Sequence, residues 1–182
     1  MTVRVNKDAF NIREKLSELD YGHVPYQKMP PGSVIQVVSE IFPSPDAFLD
    51  LNSATNSSLL NAYTETPMTA TINPKFQNST ILVNFEFGLL LRDAGSGAAL
   101  GYAVKRNGTR LFEADANPHE QFTSTGLVGF RTHYTYVDTT YNSTEPQTYL
   151  LEVKLRTGYT NMRAEFNTRS ETANVVIYEV AQ

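Results

Sequence analysis

The residues able to do acid–base or metal chemistry are few and scattered. The histidines are His23, His119 and His133, in three separate stretches, and none is paired at the spacing that a metal site requires. No H-x-H, H-E-x-x-H or calcium-loop pattern occurs. The chain has no cysteine, which removes disulfides, thiolate metal sites and a cysteine nucleophile together. Serine and threonine are plentiful, yet there is no G-x-S-x-G elbow and no histidine placed by a local motif to act as base. Gly95, Gly97 and Gly101 are not followed by GK[ST], so they form no phosphate loop. Glycoside hydrolysis needs only two convergent carboxylates. Here Glu86, Glu152 and Glu165 alternate with apolar neighbours and read as solvated strand positions. Asp46 and Asp50 flank Phe48 in an Asn- and Ser-rich loop whose ordinary role is turn geometry. The expectation is a protein that is not an enzyme and that uses no metal and no cofactor.

Those residues sit on elements with a period of two. Ile81, Val83, Phe85, Phe87, Leu89 and Leu91 alternate with Asn84, Glu86, Gly88 and Arg92, which predicts one long half-buried strand. The pattern recurs at Leu100–Val104, Tyr149–Leu155 and Val175–Ile177, with further strands over Val34–Ile41, Met68–Ile72 and Gly126–Val137. Asn107-Gly108 accepts the positive φ angles of a type I′ turn, so Lys105–Phe112 reads as a hairpin. About eight strands with no helical pattern between them predict an all-β antiparallel jelly-roll sandwich. The chain has 182 residues, 41% hydrophobic and 19% charged, enough for one cored domain and an appendage. A net charge of −4 with both signs interspersed leaves no basic stripe for nucleic acid, and no apolar run is long enough to cross a membrane. Ten Tyr and ten Phe exceed what a small sandwich needs inside. Phe130, Tyr134, Tyr136, Tyr141 and Tyr149 therefore divide between core and a subunit interface.

The appendage lies at the N-terminus. Phe10, Ile12, Leu16 and Leu19 fall near a helical period between Asp8 and Asp20, with Glu14, Lys15 and Glu18 on the other faces. So short a helix is marginal alone and wants a partner surface. Pro25, Pro30, Pro31 and Gly32 follow as an extended, semi-rigid linker. The division is residues 1–31, attachment helix and linker, and residues 32–182, sandwich. The apolar stripe Phe10, Ile12, Leu16, Leu19 is the candidate docking site.

Three stretches in order, KMPPGSVIQVV, TATINPKFQNSTILVNFEF and the terminal VVIYEVAQ, resemble small fibre-like or decoration proteins of tailed bacteriophages, especially cyanobacterial and marine ones. The resemblance runs over Lys28–Gln182. It implies a trimeric jelly-roll carried on a virion as tail fibre, head fibre or capsid decoration (cement) protein. Such a protein is made in the host bacterial cytoplasm, and its partners are other virion proteins of the capsid, tail or portal. The alternative is a carbohydrate-binding, receptor-recognition module at a fibre tip. In that case the loops DAFLDLNSATNSS and NPHEQFTST would hold a host surface glycan.

Overall fold

The computed structural model describes residues 29–42, 49–52, 62–93, 98–113, 120–122, 126–155, 163–166 and 172–182. The N-terminal helix, with Phe10, Ile12, Leu16 and Leu19, lies outside them. The regular elements of the described residues are all strands: β1 Val34–Phe42, β2 Leu49–Asn52, β3 Thr64–Ile72, β4 Thr80–Asp93, β5 Ala98–Arg106, β6 Thr109–Glu113, β7 Glu120–Phe122, β8 Gly126–Asp138, β9 Gln147–Leu155, β10 Arg163–Phe166 and β11 Ala173–Val180. Every pairing is antiparallel.

β4 is the spine of a six-stranded sheet. One of its edges carries β8 for its whole length, from Ile81 opposite Asp138 to Asp93 opposite Gly126. Its other edge carries β11 along Thr80–Glu86 and β10 along Leu89–Arg92, with β1 and β2 beyond them. The second sheet has five strands in the order β3-β9-β5, where β6 and β7 share the far edge of β5. The two sheets face each other as a jelly-roll-like sandwich. The odd-numbered residues of β4 from Ile81 to Leu91 are buried and meet Leu100, Tyr102, Val104, Tyr149, Leu151, Val153 and Leu155 of the other sheet. This is the inward set that the alternation predicts, and its burial is the main stabilising term, roughly 1.5–3 kcal/mol for each large apolar side chain.

The turn at Asn107-Gly108 has φ of 49° and 81°, the type I′ signature. Asn107 also ties two loops together: its Oδ1 accepts from Thr148 N at 2.8 Å and its Nδ2 donates to Gln147 Oε1 at 3.2 Å. β3 is an edge strand whose ladder breaks between Glu65 and Thr69, around Pro67. There the Thr66 hydroxyl replaces a backbone donor and bonds Leu151 O at 2.8 Å. A bulge with proline is an ordinary way to blunt an edge.

Buried carboxylates lock the loops at this end. Glu179 accepts from Lys75 N (2.9 Å), Phe76 N (3.1 Å), Ser79 Oγ (2.7 Å) and Gln36 Nε2 (2.6 Å), which fixes the β3–β4 connection. Asp138 accepts from Arg106 Nη1 (2.6 Å), Tyr149 Oη (2.8 Å) and the Thr140 amide (2.8 Å). Burial pushes the Asp138 carboxyl up, but those bonds and the Arg106 charge outweigh it and hold the group below its ordinary value.

The short strands and the aromatics add detail to the pattern read from the sequence. Eleven strands are present where about eight were expected, because β2, β7 and β10 have only three or four residues. That is too short for alternation to show, and they exist through the strands they pair with. Of the aromatics singled out, four are described with their side chains. Tyr149 and Tyr141 are core, and Tyr134 and Tyr136 pack inward against Phe112 at centroid distances of 6.3 and 6.1 Å, closing one side of the sandwich.

Candidate interaction surface

The outer face of the six-stranded sheet is where the strand pattern departs from inside-apolar, outside-polar. Register places residues in rows across β1, β11, β4 and β8. One row reads Val37, Tyr178, Leu82, Val137, and beside it stand Val34 and Val180. The large hydrophobic side chains exposed on the described residues are Val34 (51%), Val37 (53%), Ile41 (67%), Leu127 (44%), Val137 (51%) and Phe112. All but Phe112 lie on this face. Val34, Val37 and Ile41 belong to β1, and Leu127 and Val137 to β8, so they stand at the two margins of the sheet. Tyr178, Leu82 and Val176 between them are partly covered. Single exposed apolar residues are ordinary; the cluster here is Val34, Val37 and Ile41 of β1, whereas Leu127 and Val137 stand at opposite ends of β8.

The described charges of this face are paired. Arg131 Nε donates to Glu86 Oε1 at 2.5 Å, and Arg163 Nε to Glu165 Oε1 at 2.9 Å. The Arg131 bond holds the Glu86 carboxyl below its ordinary value against a small desolvation effect. Thr135 donates to Asn84 at 3.1 Å and Asn174 to Glu86 at 3.3 Å. His133 sits opposite Glu86, exposed.

The outer face of the five-stranded sheet is built on the opposite plan. Glu152 of β9 is 2% exposed and is held by Arg110 Nε at 2.6 Å and Lys105 Nζ at 2.9 Å. Lys105 also reaches Glu65 at 2.6 Å, Arg110 reaches Glu113 at 3.3 Å, and Lys154 approaches Glu113 at 3.9 Å. The Tyr63 ring lies over both Arg110 and Lys154, 4.4 and 4.5 Å from centroid. Burial pushes Glu152 up, but Arg110 and Lys105 outweigh it and hold the group below its ordinary value. The bonds to Glu65 and Glu152 raise Lys105, and the bond to Glu152 raises Arg110. Each of these carboxylates is engaged by a cation, which suits a structural network.

Glu152 is therefore not the solvated position that alternation implies. Glu86 and Glu165, by contrast, do stand on the outer side, paired and partly exposed. Nothing in QTYLLEVKL announces a strand buried on both faces. The nearest signal is the opposite charges at Lys105, Arg110 and Lys154, whose meeting depends on sheet register.

Among the described residues no group of three or more His, Cys, Asp or Glu gathers as metal ligands, and no helix is long and apolar enough to cross a membrane. His23, His119 and Asp46 lie outside the described residues. So do most of the loops DAFLDLNSATNSS and NPHEQFTST, whose described parts are the backbones of β2 and β7, with the Leu51 side chain in the core.

No protein-family model and no curated protein matches the chain. Among solved structures it is similar to a chain of the T13 viral particle of infectious bursal disease virus, at 15% identity and TM-score 0.48 over 82% of this chain and 36% of that one. It is also similar to the VP2 subviral particle of that virus, at 16% identity and TM-score 0.45 over 82% and 38%. The CBM22-1 xylan-binding domain of Paenibacillus barcinonensis Xyn10C is similar at 15% identity and TM-score 0.29 over 85% and 99%. The chain thus spans 36 to 38% of the length of the two viral chains.

Proposed function

We propose that this chain is a non-enzymatic structural protein of a tailed-bacteriophage virion, a tail fibre, head fibre or capsid decoration protein. Its jelly-roll domain, residues 32–182, stands exposed as a homotrimer, and residues 1–31 dock on the particle through Phe10, Ile12, Leu16 and Leu19. The observation that supports an assembly role is the outer face of the six-stranded sheet, where Val34, Val37 and Ile41 of β1 and Val137 of β8, in the Val37 row, stand in water on a well-cored platform. Networks that tie each named carboxylate to cations or loop amides support a scaffold over a catalyst. The phage assignment comes from the sequence resemblance.

The test is incorporation. Full-length chain and a truncation starting at Lys28 are compared for melting temperature and for recovery in purified particles. The reading expects similar melting temperatures and loss of the truncated form from particles. Incorporation of the truncated form at the full-length level overturns the docking role, and absence of the full-length chain from particles overturns the virion assignment.

A further inference from the structure

We propose that Asn107 is a site of spontaneous amide-to-acid conversion that the fold holds back, and that the conversion unfastens the β5–β6 turn from the β8–β9 connection. Asn107-Gly108 is the one Asn-Gly dipeptide of the chain. Conversion begins when the backbone nitrogen of the following residue attacks the asparagine Cγ. A side chain on that residue hinders the approach, and Gly108 has none. The new N–Cγ bond forms as the Cγ–Nδ2 bond breaks, Nδ2 leaves as ammonia with the Gly108 amide proton, and a succinimide ring remains. Water then opens the ring at either carbonyl. One opening leaves aspartate, and the other leaves isoaspartate, whose backbone runs through the side-chain carbon. The chemistry needs only water, and both residues are exposed at the tip of the β5–β6 hairpin.

Hydrogen bonds to β9 restrain the attack. The β5–β9 ladder ends at Arg106 opposite Tyr149, and the Asn107 side chain continues it where the backbone turns away. Asn107 N donates to Thr148 O at 2.9 Å, and Oδ1 accepts from Thr148 N at 2.8 Å. Nδ2 donates to Gln147 Oε1 at 3.2 Å and to Pro146 O at 3.4 Å. These bonds aim the side-chain amide at β9, so Cγ reaches Gly108 N only after letting go of Thr148 and Gln147. The amide is guarded while the hairpin stays docked and reactive when it opens. The same bonds set the consequence. Aspartate keeps the acceptor for Thr148 N but puts a carboxylate oxygen where Nδ2 faced the Gln147 and Pro146 oxygens. Turning Gln147 to offer its Nε2 would give up the bond to Glu145 O at 2.8 Å. Isoaspartate lengthens the turn backbone, and a type I′ turn, with φ of 49° and 81° here, takes that only by shifting the Arg106–Thr109 pair.

The test ages the full-length protein in mildly alkaline buffer, folded and in urea, and locates the products by peptide mapping and by enzymatic methylation of isoaspartate. In urea Asn107 should convert faster than Asn78 and Asn142, which precede serine. In the folded protein it should convert at least about tenfold more slowly than in urea, a ratio worth about 1.4 kcal/mol and within reach of the hydrogen bonds that hold it. The consequence is read on Asn107→Asp, which should unfold at a lower urea midpoint with unchanged slope. Should that variant fail to fold, the more acidic fraction of aged wild type, separated by ion exchange, supplies the same measurement. Conversion in urea no faster at Asn107 than at Asn78 overturns the site. Equal rates in urea and in the folded protein overturn the guarding by the fold. A converted fraction with the wild-type midpoint overturns the unfastening.

Discussion

The two outer faces of the sandwich invert each other. On the six-stranded sheet, Val34, Val37, Ile41, Leu127 and Val137 stand in water. On the five-stranded sheet, Glu152 and Lys154 are withdrawn from it, 2% and 3% exposed. Ordinary transfer energetics puts each set in the wrong place. The charged face resolves the conflict within the chain, by pairing Glu152 with Arg110 and Lys105 and laying Tyr63 across the cations. On the apolar face these side chains are left exposed among the described residues. The charged face is closed by its own chain, whereas the exposed apolar residues are what the proposed assembly would cover.

The comparison breaks most directly at Glu152. Glu152→Ala leaves Arg110 and Lys105 without their buried partner; since these cations are 35% and 20% exposed, the loss should fall below the about 3–5 kcal/mol of a fully buried pair, at about 1–3 kcal/mol. Urea unfolding of the variant should show that loss as a lower midpoint with unchanged slope. A loss below about 1 kcal/mol would mean that the network is solvated and that the two faces do not differ in kind.

Acid should separate the faces next. The Glu152 and Asp138 carboxyls are held below their ordinary values in the folded protein. Below the ordinary carboxylate range, about 3.9 to 4.3, the unfolded chain therefore binds more protons than the folded one. The stability these groups contribute is fully present above that range and is lost as pH falls through their folded values. Unfolding free energy should be flat from pH 7 to about pH 5 and decline below it. Glu152→Gln should flatten part of that decline. A decline of equal depth in the variant would assign the acid sensitivity elsewhere.

How much of this was legible beforehand depends on what each feature rests on. Features with a local cause were readable: β4's inward set from alternation, the hairpin from Asn107-Gly108, the sandwich from strand after strand with no helix between. Features that exist only through register were not. β10 has four residues and is a strand because Leu89–Arg92 offers it a partner. Glu152 looks like a solvated position until Lys105 and Arg110 arrive from strands about forty residues away. The candidate surface was missed for the same reason. Val37 and Val137 each read as one apolar residue in an alternating strand, and only the pairing through β11 and β4 puts them in one row. The candidate docking residues Phe10, Ile12, Leu16 and Leu19 stay as the helical period presents them, outside the described residues.

On the apolar face the expected effect on folding is small and the effect on association large. Val37→Thr or Val137→Thr removes apolar area already in water, so the unfolding free energy of the isolated chain should move by no more than about 0.5 kcal/mol. Light scattering over a dilution series should then show weaker self-association for both variants. A loss of stability matching that of a core valine would mean that the face is covered within the chain.

The smallest effect, and the sharpest comparison, comes from two ion pairs of matched chemistry. Arg131–Glu86 and Arg110–Glu152 each join an arginine Nε to a glutamate at 2.5 and 2.6 Å, so geometry alone ranks them equal. Their settings differ at the carboxylate: Glu86 is 36% exposed and Glu152 2%, while Arg131 and Arg110 are similar at 42% and 35%. In water the Coulomb attraction is screened and both side chains lose rotamer freedom to hold the pair, so exposed pairs contribute at most about 0.2–1 kcal/mol and less in salt. A double-mutant cycle with Glu86→Gln and Arg131→Met should give a coupling below about 0.5 kcal/mol that disappears at 1 M salt. The matching cycle with Glu152→Gln and Arg110→Met should give a coupling of about 1–3 kcal/mol with a weaker salt dependence, because the Glu152 carboxylate is withdrawn from water. Equal couplings, or equal salt dependence, would show that burial does not distinguish the faces and would remove the basis for calling one finished and the other open.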